Sequence, residues 1–147
     1  MVTWMRCLSV QQPWAAAIAY GPKRVENRTW AAPGWALRTV IAIHASKKPD
    51  AGAMPPPGES WPEHHRMHLG AVIAVATLAG CHLSPDFGGT CGATRPLCSP
   101  WAVRDQYHWL LADVRPLAEP VPCRGALGLW RLPDEVEKAV RAQLEER

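Results

Sequence analysis

The sequence predicts an α+β protein built on a small, closed or nearly closed β-barrel of five to six strands with flanking helices. Three observations predict it. The chain of 147 residues contains 15 prolines and 11 glycines, so it turns often and its helices should be few. Several short apolar or β-branched runs have the composition of strands. Near the end of the chain, Gly125 and Gly128 favour the bulge or tight curvature that helps a sheet to close.

The first third of the chain contains a strand, a helix and a second strand. Trp4–Val10 is apolar and resembles a strand. Pro13 suits the first turn of a helix, the Ala-rich run Trp14–Tyr20 continues that helix, and Gly21 ends it. The weakly alternating, β-branched run Leu37–Ala45 predicts the next strand.

Two long loops divide the middle of the chain. Residues 46–62 are rich in proline, and residues 84–100 are rich in glycine, proline, cysteine and threonine. Between them we expect a short helix over Pro62–Leu69 and then a buried strand over Gly70–Leu83. Loops of this length in a compact domain are either mobile or functional.

The last third predicts two strands and a helix. Trp109–Pro116 and Val121–Arg131 have strand composition, and a helix starts at Pro133 with acidic residues in its first turn. The apolar stripe of this helix consists of Val136, Val140 and Leu144. We expect residues 1–147 to form one domain, because a chain of this length has no room for a second sizeable core.

Composition excludes several classes of protein. Apolar residues make up 48% and charged residues 20%, which is typical of a globular protein and not of a fibre or a disordered chain. No apolar run approaches the roughly 18 residues that a membrane span needs. The N-terminus lacks the pattern of a secretory signal, so we predict a cytoplasmic protein without a disulfide framework.

The charges are unevenly distributed. Residues 1–48 contain seven lysines and arginines and a single acid, a net charge of +6, although the whole chain carries only +3. A basic front part is a plausible footprint for a polyanion such as nucleic acid. The alternative is a scattered, solvated surface, and the sequence leaves both open.

The densest group of chemically active side chains lies in residues 23–30, Lys-Arg-Val-Glu-Asn-Arg-Thr-Trp. In an extended chain alternate residues share a face. Arg24, Glu26, Arg28 and Trp30 would then lie on one side, and the carboxylate would orient the guanidinium groups for phosphate or base contacts. The alternative is a surface ion-pair ladder that contributes less than about 1 kcal/mol.

Eight of the eleven aromatic residues are tryptophans. Trp14, Trp30 and Trp35 lie beside turns and basic groups, where an indole can stack on an unpaired base. Trp61 and Trp101 close the two long loops. The alternative is that these indoles fill the core of a protein poor in other aromatic residues.

No common metal or cofactor motif is present. The sequence lacks CxxC, HExxH and the zinc pattern of nucleobase deaminases, as well as Gly-rich phosphate loops and GxSxG. We therefore predict no cofactor and no metal. One alternative stays open, in which Cys91 and Cys98, together with Cys81 or a histidine, hold a structural zinc.

Read together, several segments resemble the ASCH family of the PUA-like superfamily. The first two resemble its N-terminal strand, helix and G-x-K-x-x-E-x-R pattern, and the others resemble later strands. In order, they are Leu8–Ala15, Gly21–Trp30, His44–Ser46, Gly70–Ala76, Trp109–Leu111 and Pro122–Trp130.

The resemblance implies a β-barrel with flanking helices and a cleft where nucleic acid or a nucleoside binds. Relatives include RNA-binding domains and readers of modified bases. Some ASCH members resemble amidohydrolases that deacetylate acetylated cytidine, and others have been described as ribonucleases. Lys23 matches the lysine of the hydrolases, but Glu26 stands where they carry a threonine, and Gly70–Leu83 contains no acid.

We therefore favour a nucleic-acid-binding module for RNA, single-stranded DNA or a flipped base, which takes one exposed, modified or unmodified base into a Trp-lined basic cleft. One alternative is a small hydrolase of modified nucleosides or a ribonuclease, with Lys23 and Glu26 as the catalytic pair. Another is a non-catalytic interaction domain. The predicted binding residues are Trp14, Trp30 and Trp35 for stacking, Lys23, Arg24 and Arg28 for phosphates, and Glu26 and Asn27 for base edges.

Overall fold

A computed structural model describes residues 4–84 and 97–145. Its centre is one mixed sheet of six strands in the order β2-β5-β4-β3-β1-β6. The strands are β1 (Arg6–Val10), β2 (Val25–Arg28), β3 (Val40–Ala45), β4 (Ala71–Leu83), β5 (Tyr107–Pro122) and β6 (Leu129–Arg131). The sheet is curled into a half-barrel, and its edges are β2 and β6.

One parallel pair interrupts an otherwise antiparallel sheet. β1 and β3 run parallel, and the helix α1 (Trp14–Tyr20) lies in the connection between them. β4 and β5 are the longest strands, with 13 and 16 residues, and their pairing contains three register irregularities. Such irregularities bend long strands and so curl the sheet.

Apolar side chains form a core on each face of the sheet. On one face α1 packs with its buried alanines and Ile18 against β3, β4 and β5. On the other face the helix α2 (Asp134–Glu145) places Val140 against Met5 and Leu132, with Val136 and Leu144 at the margin. The apolar stripe predicted for this helix is therefore the surface that it buries.

Two predicted elements differ from the observed ones. Pro62–Leu69, predicted as a short helix, contains only one 3-10 turn at His64–Arg66, since its mostly polar residues offer no apolar stripe. The predicted strand Val121–Arg131 is divided: β5 ends at Pro122, residues 123–128 form a loop, and β6 begins at Leu129.

Gly128 has a φ of +74°, in the left-handed region that favours glycine, and it turns the loop into β6. No helix in the described part of the chain is long and apolar enough to cross a membrane.

Candidate functional site

The first candidate site is a cavity of about 660 Å³, which we name the tryptophan cavity. Its walls come from the end of β1, the start of α1, β2 and two loop segments that follow β3 and precede β5. The polar and aromatic lining residues are Ser9, Gln11, Trp14, Lys23, Glu26, Asn27, Arg28, Asp50, Trp101 and Gln106.

A buried cluster of three charges lines this cavity. The Lys23 Nζ lies 2.7 Å from one carboxylate oxygen of Glu26, and Arg28 Nη2 lies 2.8 Å from the other. Lys23 is only 1% exposed and Glu26 is 7% exposed. The Lys23 amine also donates to the carbonyl of Val25. Each carboxylate oxygen therefore has its own cation, and the cluster carries a net charge of +1.

The pKa of Glu26 follows from these neighbours. Burial alone would raise the pKa of this carboxyl, but the charges and hydrogen bonds of Lys23 and Arg28 outweigh burial, and the pKa is lowered. Glu26 is therefore an ionised anchor at neutral pH. A general base at this position would need a raised pKa, whereas the pKa of Glu26 is lowered.

Arg28 connects β2 to β1 and reaches two cavities. Its Nη2 donates to the carbonyl of Ser9 at 2.6 Å as well as to Glu26. Among the described residues its buried Nε has no hydrogen-bond partner. A buried donor without an acceptor costs about 1–3 kcal/mol.

Asn27 fixes a wall of the cavity. Its Nδ2 donates to the carbonyl of Trp101 at 2.9 Å, and its Oδ1 accepts from the backbone amide of Val103 at 2.8 Å. Both polar groups of the Asn27 side chain therefore contact the backbone of the segment that precedes β5. This side chain holds the segment that carries Trp101 against β2.

Three indoles lie together, and two of them, Trp14 and Trp101, line the cavity. The ring centroid of Trp14 lies 5.0 Å from that of Trp61 and 6.4 Å from that of Trp101, and both pairs are edge-to-face. The Trp14 Nε1 donates to Asp50 at 2.9 Å, and the Lys23 Nζ lies 5.8 Å from the Trp14 ring centroid. Trp101 is buried, whereas Trp14 is half-buried, so Trp14 is the indole that a ligand can reach from the cavity.

A second cavity of about 990 Å³ adjoins the first, and we name it the loop cavity. Ser9 and Arg28 line both cavities. The loop cavity is formed by the segment after β3, the turn before β4 and the loop of residues 123–128. Exposed Lys47 and Arg124 add two further cations to its lining.

The floor of the loop cavity is a tight histidine contact. His44 is 1% exposed, its Nε2 lies 2.7 Å from the carbonyl of Cys123, and its Nδ1 lies 3.4 Å from the hydroxyl of Ser9. Burial lowers the pKa of His44, although the hydrogen bond to Cys123 opposes this effect. A neutral ring that donates through Nε2 is consistent with these contacts. Gly125 passes over this ring, and a Cβ added there would lie 2.8 Å from it.

Three predicted binding residues lie outside both cavities. Arg24 does not share a face with Glu26, because β2 begins only at Val25, and the Arg24 guanidinium instead donates to carbonyls at the end of α1. Cations are favoured at such carbonyl ends. The prediction for Arg24 was therefore wrong about its placement.

The other two are tryptophans. Trp30 packs edge-to-face on buried Trp109 with 4.7 Å between ring centroids, so it belongs to the core margin. Trp35 is 60% exposed, but it lies 5.2 Å from the Arg6 guanidinium in a separate surface depression. Neither indole lines the tryptophan cavity, in contrast to the prediction from sequence.

The structure describes only part of the alternative zinc set. Cys91 lies outside the described residues. Cys81 and His82 are neighbours on β4 and so face opposite sides of the sheet. The Cys81 thiol accepts from the amide of Ala32, whereas His82 lies beside His108 and Cys98. Among the described residues it is this His-Cys-His group that brings three ligand atoms together.

Sequence reasoning missed several lining residues. Asp50 lies in a loop without pattern, and Lys47 and Arg124 come from segments 77 residues apart that only the fold brings together. The position of Trp61 and Trp101 at the ends of the long loops was the available signal for the aromatic cluster.

Comparison with known proteins identifies the family. The ASCH domain model matches residues 8–120. The crystal structure of ASCH from Zymomonas mobilis is 18% identical, with a TM-score of 0.55 over 94% of each chain. A tyrosine-to-phenylalanine variant from the same organism is also 18% identical, with a TM-score of 0.55 over 95% of this chain and 98% of that one. No curated protein matches. The predicted resemblance and fold class are confirmed, and the chain belongs to the ASCH domain family.

Proposed function

We propose that this protein binds single-stranded RNA and accepts one unpaired base in the tryptophan cavity. ASCH domains are generally thought to bind RNA. One observation carries the proposal: the half-buried indole of Trp14 and the Lys23–Glu26–Arg28 cluster line the same cavity. An aromatic surface beside fixed cations is the arrangement that stacks a base and attracts its phosphate.

The tryptophan cavity has the size and polarity for a base. Its volume of about 660 Å³ lies within the usual range of small-molecule sites. The cluster of Lys23, Glu26 and Arg28 has a net positive charge, which attracts the anionic backbone of a nucleic acid. Stacking on an indole contributes roughly 1–3 kcal/mol per base.

The loop cavity supports a path for the adjoining backbone. It shares Arg28 with the tryptophan cavity, and its exposed cations, Lys47 and Arg124, are suited to phosphates. The same cavity is also lined by the apolar side chains of Leu69 and Leu127. A nucleotide next to the captured base would lie in this cavity.

The arrangement favours binding over hydrolysis. Catalysis by Lys23 and Glu26, as an amidohydrolase of acylated nucleosides or as a ribonuclease, would need a carboxylate free to accept a proton. Both oxygens of Glu26 already face cations, and its pKa is lowered. The Lys23–Glu26 pair lines the cavity, however, so the experiment includes a search for products.

The test is fluorescence anisotropy of short labelled oligonucleotides over a series of salt concentrations. We expect single-stranded RNA to bind more tightly than duplex, with an affinity that falls as salt rises. Single-stranded DNA of the same sequence is measured in parallel. Because DNA lacks the 2′-hydroxyl group, this comparison separates capture of the base from recognition of the ribose. Chromatography of the same mixtures, and of acylated nucleosides, reports any turnover.

The matched variants are Trp14→Ala and Trp35→Ala. Loss of one stacking indole should weaken binding by about 5- to 150-fold for Trp14→Ala, which corresponds to roughly 1–3 kcal/mol. Trp35→Ala removes an exposed indole outside the cavity and should leave the affinity unchanged. Equal effects of both variants, or binding that is indifferent to salt, would contradict the proposal. If the protein forms a product and Lys23→Ala abolishes that activity, the hydrolase function replaces the proposed RNA binding.

A further inference from the structure

We propose that His82, Cys98 and His108 form a zinc site at the base of the segment that connects β4 to β5. The two histidines lie directly opposite each other on these antiparallel strands. Cys98 comes from the connecting segment and reaches the same point. The site is separate from both cavities and does not depend on the proposed RNA binding.

Two of the three ligand-atom distances are close to those of a tetrahedral metal centre. With Zn–N bonds of about 2.0–2.1 Å and Zn–S bonds of about 2.3 Å, two nitrogens lie about 3.3 Å apart, and a nitrogen and a sulfur about 3.6 Å apart. The observed distances are 3.2 Å between His82 Nε2 and His108 Nδ1, and 3.4 Å between Cys98 Sγ and His108 Nδ1. All three ligand atoms lie within 4.8 Å of one another. One ion can therefore contact all three after small adjustments.

The protonation of His108 supports coordination. Its Nε2 lies 2.7 Å from the carbonyl of Val103, which can only accept, so Nε2 carries the proton. In the neutral ring Nδ1 then presents a lone pair toward His82 and Cys98. Metal-bound histidines typically use their second nitrogen in this way, since a carbonyl partner fixes the ring and its tautomer.

The ligand types favour zinc over hard cations. Two imidazoles and one thiolate suit a borderline-soft ion such as Zn²⁺, whereas Mg²⁺ and Ca²⁺ prefer oxygen. Binding would release the thiol proton of Cys98 to solvent, and both imidazoles would coordinate in neutral form. Three protein ligands leave the fourth position of a tetrahedron for water or another donor.

The site would also secure a wall of the tryptophan cavity. Cys98 lies three residues before Trp101, and Asn27 already holds Trp101 and Val103 through their backbone groups. A metal at Cys98 would attach the same segment to β4 and β5 at a second place. Its effect would be to hold the stretch from Cys98 to Val103 against the sheet.

The experiment uses the untagged full-length protein with the metal alone. After treatment with a chelator, Zn²⁺ is titrated against a chromophoric competitor, and Co²⁺ is added as a spectroscopic probe. We expect one tight zinc ion per chain. With Co²⁺ we expect a thiolate-to-metal charge-transfer band together with the visible bands of a tetrahedral site. An absence of competition for zinc and of the cobalt bands in the wild-type protein would overturn the proposal without any variant.

Variants locate the site. Cys98→Ser should abolish the charge-transfer band and weaken zinc binding at least tenfold. Cys81→Ser is the matched control, because its thiol faces the other side of β4, and it should keep both properties. His82→Asn removes a second ligand. His82 is half-buried, so this test does not require a substitution at the buried His108. Retention of the band and of full zinc affinity in Cys98→Ser would place the metal elsewhere and contradict the assignment.

Discussion

Replacing Glu26 by glutamine removes the negative charge that Lys23 and Arg28 share and keeps the shape of the side chain. Lys23 is 1% exposed and would remain as a buried cation without a counter-charge. Removing one partner of a buried ion pair costs roughly 3–5 kcal/mol. At about 2–4 °C of Tm per kcal/mol for a chain of this length, the Tm should fall by roughly 6–20 °C.

The same reasoning gives the pH dependence. The pKa of Glu26 is lowered in the folded state, so the carboxylate contributes its full stabilisation above the ordinary glutamate pKa. That contribution is lost as the pH falls through the lowered value. The difference in unfolding free energy between the wild type and Glu26→Gln should therefore be largest near neutral pH, and it should shrink below about pH 4.

The assay is thermal and denaturant unfolding followed by circular dichroism at neutral and acidic pH. Glu63→Gln is the matched control, because the Glu63 carboxylate is 78% exposed and 3.1 Å from His65. It should change the unfolding free energy by less than about 1 kcal/mol. The double variant Lys23→Met/Glu26→Gln should lose less unfolding free energy than the sum of the losses in Lys23→Met and Glu26→Gln. The reason is that both buried charges disappear together. A Glu26→Gln variant no less stable than Glu63→Gln would refute the reasoning.

Two further changes probe the loop cavity. Arg124→Ala should reduce the slope of log affinity for RNA against log salt by about 0.7, the value for one lost phosphate contact on a single strand. Lys138→Ala, which removes an exposed cation on α2, should leave that slope unchanged, and an equal change in both would contradict a phosphate path. Gly125→Ala places a Cβ 2.8 Å from His44, so we expect a loss of about 1–3 kcal/mol in chemical denaturation. Gly34→Ala meets nothing within 4 Å and should be close to neutral; equal stability of the two variants would argue against the tight contact.

The part of the site on β2 was predictable because strand geometry is local. Glu26 and Arg28 lie two residues apart within β2, so alternation correctly places them together. Lys23 precedes the strand, where alternation does not apply, and its long side chain reaches Glu26 from outside. Alternation does not apply to Arg24 either, because this residue also precedes the strand and its guanidinium contacts the end of α1.

The contributions from loops could not be predicted, because long-range contacts fix them. Trp101 reaches the cavity through a hydrogen bond to Asn27, 74 residues away in sequence. The His82–His108 pair depends on the register of β4 and β5, which three irregularities shift along their length. Hydrophobic periodicity predicts that such strands exist but not how they are aligned.

Photo-crosslinking tests the central claim most directly. A single-stranded RNA that contains 5-iodouridine is irradiated with the protein, and mass spectrometry identifies the modified peptide. Capture of a base in the tryptophan cavity predicts a crosslink at Trp14. Crosslinks confined to exposed Trp35, or the same yield at Trp14 after an excess of unlabelled RNA, would contradict it.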